Sequence, residues 1–382
     1  QAVGFFFGHG SGNYISRELG KKNYDEASNM AATGFYSSLL AGLLICLAGQ
    51  IFLDGLAYIL GSTDTILPYT RQYLRVILLG APWMAGSLVL NNQLRYQGSA
   101  NYAMIGIVTG AVLNIGLDPL LIFYFDLGIA GAGWATIISQ LVSFCILLIG
   151  CRKGSNLQIH IRRFKFKWFY FNMIIQGGLP SLARQSLASL AAICLNRAAG
   201  GYSDAAVAAM SIVQRVMMFG ASTMIGFGQG FQPVCGFNFG AGLYQRVKEG
   251  FWFCVKLSLV LLTGISVLMF VFAPKVISWF QDDPEVILNG ARALRFQCLS
   301  FPAQSWIVMS NMMEQSIGRT ASATFLSAAR QGIFFIPAIL LLEFFFGLTG
   351  IQMAQAVSDL LTLACAIPIH IHILRTITIK KT

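Results

Sequence analysis

Six charged side chains fall inside long apolar stretches of this sequence: Asp118, Arg184, Arg215, Glu314, Arg330 and Asp359. A charge at the middle of a membrane helix costs about 2.5–3.5 kcal/mol on insertion scales, so each needs a partner or a task. Asp118 carries the strongest chemical signal. Asn114 precedes it by four residues and shares its face of a helix. Pro119 follows directly, has no backbone donor and is expected to break the helix locally. Carbonyls freed by such a break would help the carboxylate hold a cation, or accept a hydrogen bond from its protonated form. The plainer alternative is a carboxylate at an external helix end, capped by a loop.

The other five charges are less specific. Arg184, Arg215 and Arg330 stand against Glu314 and Asp359 either as ion pairs within a bundle or as contacts to substrate or a gate. Glu314 lies four residues before Gly318 and is expected near a cytoplasmic mouth, where water solvates it. Gln185 and Asn311 are candidates for lining a cavity. Flexible Met side chains and aromatic faces suit flat organic cations, whereas Phe5–Phe7 and Phe344–Phe346 read as lipid-facing or packing residues. His9, His160, His370 and His372 offer one close pair near a helix end, and no metal site is assigned to them. The eight cysteines show no CxxC spacing. Gly10-Ser11-Gly12 is followed by no Lys-Ser or Lys-Thr, so it is not a nucleotide-binding loop.

The elements that must position these residues are membrane helices. Hydrophobic residues make up 56% of the chain and charged residues 11%, against about 45–50% and about 25% in soluble domains. Several stretches run long enough to cross a bilayer, and none alternates with the period of a membrane barrel. The fold class is therefore all-α integral membrane. Eleven helices are expected, at 1–18, 27–53, 69–95, 101–124, 130–151, 170–199, 205–238, 244–272, 285–316, 320–346 and 350–374. Turn chemistry separates them at Gly61–Asp64, Gly98-Ser99, Gly200–Asp204, Asp282–Pro284 and Gly347–Gly350.

The sequence also repeats itself. Gly8, Gly10, Gly20 and Tyr24 match Gly228, Gly230, Gly240 and Tyr244; Pro82, Asn91 and Gly98 match Pro302, Asn311 and Gly318. Every pair is 220 positions apart. Such repeats mark secondary transporters, whose substrate path lies between the halves. The second half opens near residue 170, so the offset predicts a first-half counterpart about 50 residues before Gln1, and six helices per half related as parallel repeats. The chain divides accordingly into a first bundle over 1–151, a linker over 152–169 and a second bundle over 170–382. The repeat is not complete in chemistry: Asn114 maps to Phe334 and Asp118 to Ala338, so any cation coupling is expected to be asymmetric. The net charge of +11 is spread over short loops rather than gathered on a nucleic-acid face. Arg17, Lys21, Lys22, Arg95, Arg162, Arg163, Lys165, Lys167, Arg246, Lys248, Arg319, Arg375, Lys380 and Lys381 share the richer side, with Arg152 and Lys153. That side is expected to be cytoplasmic, with the linker and the C-terminus.

Three segments resemble one family. Gly10-Ser-Gly12-Asn-Tyr-Ile-Ser16-Arg17-Glu-Leu19-Gly20 is similar to the first-half loop motif of MATE (multidrug and toxic compound extrusion) transporters. Gly230-Phe-Gln232-Pro233-Val-Cys-Gly236-Phe-Asn238-Phe-Gly240-Ala241 is similar to the second-half motif of the MepA-like bacterial branch. Asn114–Pro119 together with Gly128–Thr136 resembles the family's fifth and sixth helices. The resemblance covers essentially the whole chain, as a member without its first helix. It implies two six-helix bundles in a V around a central cavity. It further implies exchange of external H⁺ or Na⁺ for cytoplasmic organic cations by alternating access, in a bacterial inner membrane and as a monomer without cofactor. On the same resemblance, Asn114, Asp118 and Thr136 match the polar residues of a first-lobe cation site, and Asn91 matches a cavity-lining position. A lipid-linked-sugar flippase is the alternative transporter. An integral-membrane enzyme would need clustered acids and histidines or a soluble catalytic domain, and a channel fits the two-half repeat less well.

Overall fold

The computed structural model describes residues 1–60, 62, 64–153, 157 and 159–379, and the regular structure among them is helical throughout. Gly61, Thr63, Lys380, Lys381 and part of the 152–169 linker lie outside the described residues.

Each helix expected from the sequence is present, several as two pieces on one path. The first half holds α1 (Ala2–Gly20), α2 (Tyr24–Ile51) with α3 (Leu53–Ile59), α4 (Leu67–Leu79) with α5 (Ala81–Tyr96), α6 (Ala100–Pro119) and α7 (Gly128–Lys153). Then come α8 (Trp168–Gly200), α9 (Asp204–Gly240), α10 (Tyr244–Val271) with α11 (Ala273–Ser278), and α12 (Pro284–Ser300) with α13 (Gln304–Ser316). The chain finishes with α14 (Thr320–Ala328), α15 (Phe335–Phe346) and α16 (Leu348–Ile379). Seven of the described helices are long and apolar enough to cross a membrane, or eight if α4 and α5, bent by 49°, form one span.

Local chemistry sets the ends. Asp283 caps α12 by accepting from the backbone N–H groups of Glu285 (2.8 Å) and Val286 (3.4 Å), with Pro284 at the first position. Ser203 caps α9 by accepting from Ala206 N–H at 3.1 Å. The corner after α5 turns at Gly98 with φ +93°, and its counterpart after α13 turns at Gly318 with φ +83°, a region that favours glycine.

The 220-residue repeat is physical. α2 spans 24–51 and α10 spans 244–271. The Ser99 N–H donates to Leu94 O at 2.8 Å, and the Arg319 N–H donates to Glu314 O at 2.8 Å. The Asn91 amide donates to Ala103 O, and the Asn311 amide donates to Ala323 O. Each of these contacts reappears 220 positions later. The glycine motifs sit on helices rather than loops: Gly10 and Gly12 lie on α1, and Gly230, Gly236 and Gly240 on α9. A Cβ at Gly10 would stand 2.4 Å from Ile174 O, and one at Gly12 would stand 2.2 Å from the Tyr96 ring, so these positions require glycine for close packing.

By contacts the chain forms two compact units, Gln1–Gly178 and Leu179–Thr382. The division falls inside α8, later than the boundary at residue 170 expected from the sequence. The reason lies in Gly177 and Gly178: a Cβ at either would collide with the backbone of α1, at Gly10 or Phe6, so the start of α8 packs on α1. The first unit's core gathers Ile15, Met30 and Ile174 in one cluster and Val89, Leu90, Leu94 and Leu147 in another. The second unit has a single larger core, with Phe251, Leu294 and Phe301 fully or almost fully buried.

Candidate functional site

Each bundle contains a pocket, and the repeat relates the two. The first, of about 220 Å³, is lined by residues of α5, α6 and α7, among them Asn114, Thr136 and Ser139. The second, of about 380 Å³, is lined by residues of α8, α9, α12, α13, α14, α16 and the segment that follows α14. Met84, Leu88, Gly110 and Ser139 line the first; Gln304, Val308, Arg330 and Asp359, each 220 positions on, line the second. One location in the repeat has thus been given two chemistries. In the first bundle Gly110 and Ser139 are small: a Cβ on Gly110 would meet Ser139 O at 3.2 Å. That lets α6 and α7 close together. Where an arginine and an aspartate replace them, the pocket is larger.

In the first bundle the Asn114 Nδ2 donates to Asp118 Oδ1 at 3.2 Å, as their spacing of four on one helix requires. Asp118 is half-buried and enters no ion pair among the described residues. Pro119 does not break the helix. The path continues from α6 into a π-helical segment, Leu120–Tyr124, in which Phe125 N–H donates to Leu120 O at 3.0 Å. The proline leaves Ile115 O without its usual helical donor, and the turn that follows is widened. Thr136 faces the pocket with Asn114, and its hydroxyl donates to Ala132 O at 2.9 Å. Asn91 does not line this pocket; its amide fastens α5 to α6 through Ala103 O.

The second pocket brings together five of the residues singled out from the sequence: Arg184, Gln185, Asn311, Arg330 and Asp359. Asp359 is 1% exposed and accepts four hydrogen bonds. Arg330 Nε (2.8 Å) and Gln355 Nε2 (2.9 Å) donate to Oδ1; Gln304 Nε2 (3.2 Å) and Ser300 Oγ (3.4 Å) donate to Oδ2. Arg330 sits on a second π-helical segment, Ala329–Ile333, and its carbonyl accepts from Ser358 Oγ at 2.7 Å. The carboxylate is therefore neutralised and tied to α12, α13, α14's extension and α16 at once. Asn311 bonds Ser327 Oγ at 2.9 Å while lining the pocket. Arg215 stands apart: it is exposed on α9 and lies in neither pocket.

Glu314 departs from expectation most. It is not solvated at a mouth but wholly buried, with its Oε1 3.1 Å from His370 Nδ1, and both side chains are 0% exposed. Sequence reasoning set His370 aside because it looked for metal ligands, and missed Gln355 and Gln304 as partners of Asp359. The spacing of four between Gln355 and Asp359 was the available signal.

Three comparisons bear on this geometry. The MatE family model matches residues 1–120 and 180–341. The chain is 28% identical over 374 residues to the multidrug export protein MepA of Staphylococcus aureus, covering 98% of this chain and 82% of that protein. It is 27% identical over 381 residues to MepA of Staphylococcus haemolyticus, covering 100% of this chain and 84% of that protein. A crystal structure of MATE in complex with MaL6 shares its fold with a TM-score of 0.93 at 24% identity, covering 100% and 86% of the two chains. So does a MOP superfamily transporter from Pyrococcus furiosus, described as having a binding pocket of reversed polarity, with a TM-score of 0.92 at 23% identity over 99% and 85%.

Proposed function

This chain belongs to the MatE family, and from that membership we propose that it exports organic cations from a bacterial cytoplasm in exchange for H⁺ or Na⁺. It is a multi-pass membrane transporter and not an enzyme. The single observation that carries the coupling half is the asymmetry of the carboxylates in the two bundles, Asp118 lying one helical turn from Asn114 and outside the lining of the first pocket. One bundle offers a carboxylate, Asp118, that accepts from Asn114 and has no ion-pair partner among the described residues. The other offers a carboxylate already neutralised by Arg330. A carboxylate without a counter-charge in a membrane is a site for a driving cation. Thr136, across the pocket from Asn114, is the neutral oxygen that would complete such a site.

The substrate half rests on the relatives, which are named multidrug export proteins, and on the second pocket. Its walls combine Met210, Met217 and Met218 with Gln185 and Asn311, a pliable apolar surface with a few polar anchors. A flippase for a pyrophosphate-linked sugar would draw on the two guanidinium groups of the pocket, and of these Arg330 is committed to Asp359 while Arg184 shares its wall with Gln185. Ethidium uptake into inverted membrane vesicles tests the proposal: accumulation on energisation supports it, and its absence with well-folded protein contradicts it.

Two further expectations arise here. Asn114→Ala removes a neutral ligand rather than the charge, so it should weaken coupling several-fold without abolishing it; drug accumulation at a fixed imposed gradient reads this out. Lys165 should be cytoplasmic and Asp283 external, because basic residues favour the cytoplasmic side. Single cysteines at these positions, in a background cleared of native cysteines, should react with an impermeant reagent in intact cells at 283 and not at 165. The opposite pattern would invert the arrangement. The C-terminus would share the side of Lys165, and the unit of function would be a monomer.

A further inference from the structure

We propose that Glu314 and His370 form a proton-binding site in the second bundle, separate from both pockets. The two side chains belong to α13 and α16, are 0% exposed and meet at 3.1 Å. They are enclosed by aromatic rings: Phe251 of α10 lies 4.2 Å from the His370 ring centre and Trp306 of α13 lies 5.8 Å from it, with Trp252 5.5 Å beyond, centre to centre with Trp306. Neither residue lines either of the two pockets described above.

Two observations argue against a merely structural strut. First, the repeat fills the equivalent place without polarity. Glu314 maps to Leu94 and His370 to Gly150, and Leu94 is fully buried in an apolar cluster. Packing at this position therefore needs no ionisable pair. Second, the pair is incompletely satisfied. Glu314 Oε2 and His370 Nε2 find no hydrogen-bond partner among the described residues, which is costly for buried polar atoms unless function keeps them.

The proton count follows from charge. Carboxylate with imidazolium, or carboxylic acid with imidazole, holds one proton more than carboxylate with neutral imidazole. The first two states are net neutral and the last leaves a buried negative charge, which desolvation disfavours. The charged and titratable groups on the surrounding elements are Tyr244, Arg246, Lys248, Glu249, Cys254 and Lys256 on α10, Asp204, Arg215 and Cys235 on α9, Arg319 just before α14, and Asp359, Cys365, His372 and Arg375 on α16. The proton should thus be held while the site is dry and released when a rearrangement of the bundle admits water. That would give the second bundle a titratable step of its own, complementing Asp118 in the first, and in that respect the inference rests on the export reading above.

The test has two arms on the purified full chain in detergent. In the first, the protein is labelled with ¹⁵N-histidine, and His370 is identified among the four histidines by its loss in His370→Gln. Its ring resonances, and the Trp fluorescence quenched by a nearby imidazolium, should titrate with pH. Glu314→Gln should alter that titration, and Asp118→Asn should leave it unchanged. A His370 that stays in one protonation state across the folded range, or whose titration ignores Glu314→Gln, overturns the proposal. In the second arm, protons released on adding ethidium are read with an indicator dye. Loss of part of the release in Glu314→Gln, and again in His370→Gln, supports a role in transport. Intact release in both variants overturns that role. Titration in the first arm with no release by any protein would overturn the role in transport and leave the proton site standing, and the export reading would then be judged by ethidium uptake into inverted vesicles.

Discussion

Asp118→Asn should abolish gradient-driven efflux while leaving a folded, normally expressed protein. The substitution keeps the side chain's size and its contact with Asn114, and removes only the charge. A membrane potential of 100 mV contributes about 2.3 kcal/mol per translocated charge. A site that alternates between a bound and an unbound cation can harness that; an amide cannot. Drug resistance in cells should therefore fall to the level of cells lacking the protein, a change of tenfold or more in the efflux rate at equal expression, where a tenfold rate change corresponds to about 1.4 kcal/mol. Ethidium binding to the purified variant should persist, because Asp118 lies outside the second pocket. Wild-type efflux by a well-expressed Asp118→Asn protein would remove Asp118 from the mechanism.

Asp359→Asn should act on stability. Every neighbour of this carboxylate is a donor: Arg330, Gln355, Gln304 and Ser300. An asparagine NH₂ placed among them finds an acceptor only if Ser300 or a glutamine amide turns round, and the Arg330 charge loses its partner. Removing one member of a buried pair costs about 3–5 kcal/mol. The lower end applies here, since the Arg330 side chain keeps 21% exposure and water can reach it. Yield and thermal stability in detergent should drop sharply, and transport per surviving molecule much less. The double variant Arg330→Gln, Asp359→Asn should regain much of the stability, because no unpaired charge remains. A stable Asp359→Asn protein with no transport would instead place Asp359 in the transport cycle.

The limits of the sequence are clearest at these residues. Helices were legible because apolar runs and turn residues are local signals, and the repeat was legible because glycines, prolines and asparagines recur at one offset. The contact between Asn114 and Asp118 follows from a spacing of four on one helix. Partners on different helices left no such trace. Arg330 and Asp359 are 29 positions apart, and Glu314 and His370 are 56 apart. The distance of Glu314 from the corner glycine points to a solvated position, and the corner at Gly318 is indeed exposed, yet one turn back along α13 the carboxylate is already enclosed against His370 of α16. Pro119 was read as a break because it lacks a donor; a π-helical turn accommodates the same defect without one. The helix-to-helix bonds that Asn91 and Asn311 each make to the next helix are likewise invisible in the sequence.

The account's central claim is exchange of a cytoplasmic organic cation for an external cation bound at Asp118. Inverted vesicles whose lumen is loaded with acid or with Na⁺, one at a time and at zero membrane potential, test it most directly. One of the two gradients alone should drive ethidium into the lumen, collapse of that gradient should release it, and Asp118→Asn vesicles should accumulate none. Accumulation that ignores both gradients, or that survives in Asp118→Asn, would contradict the account.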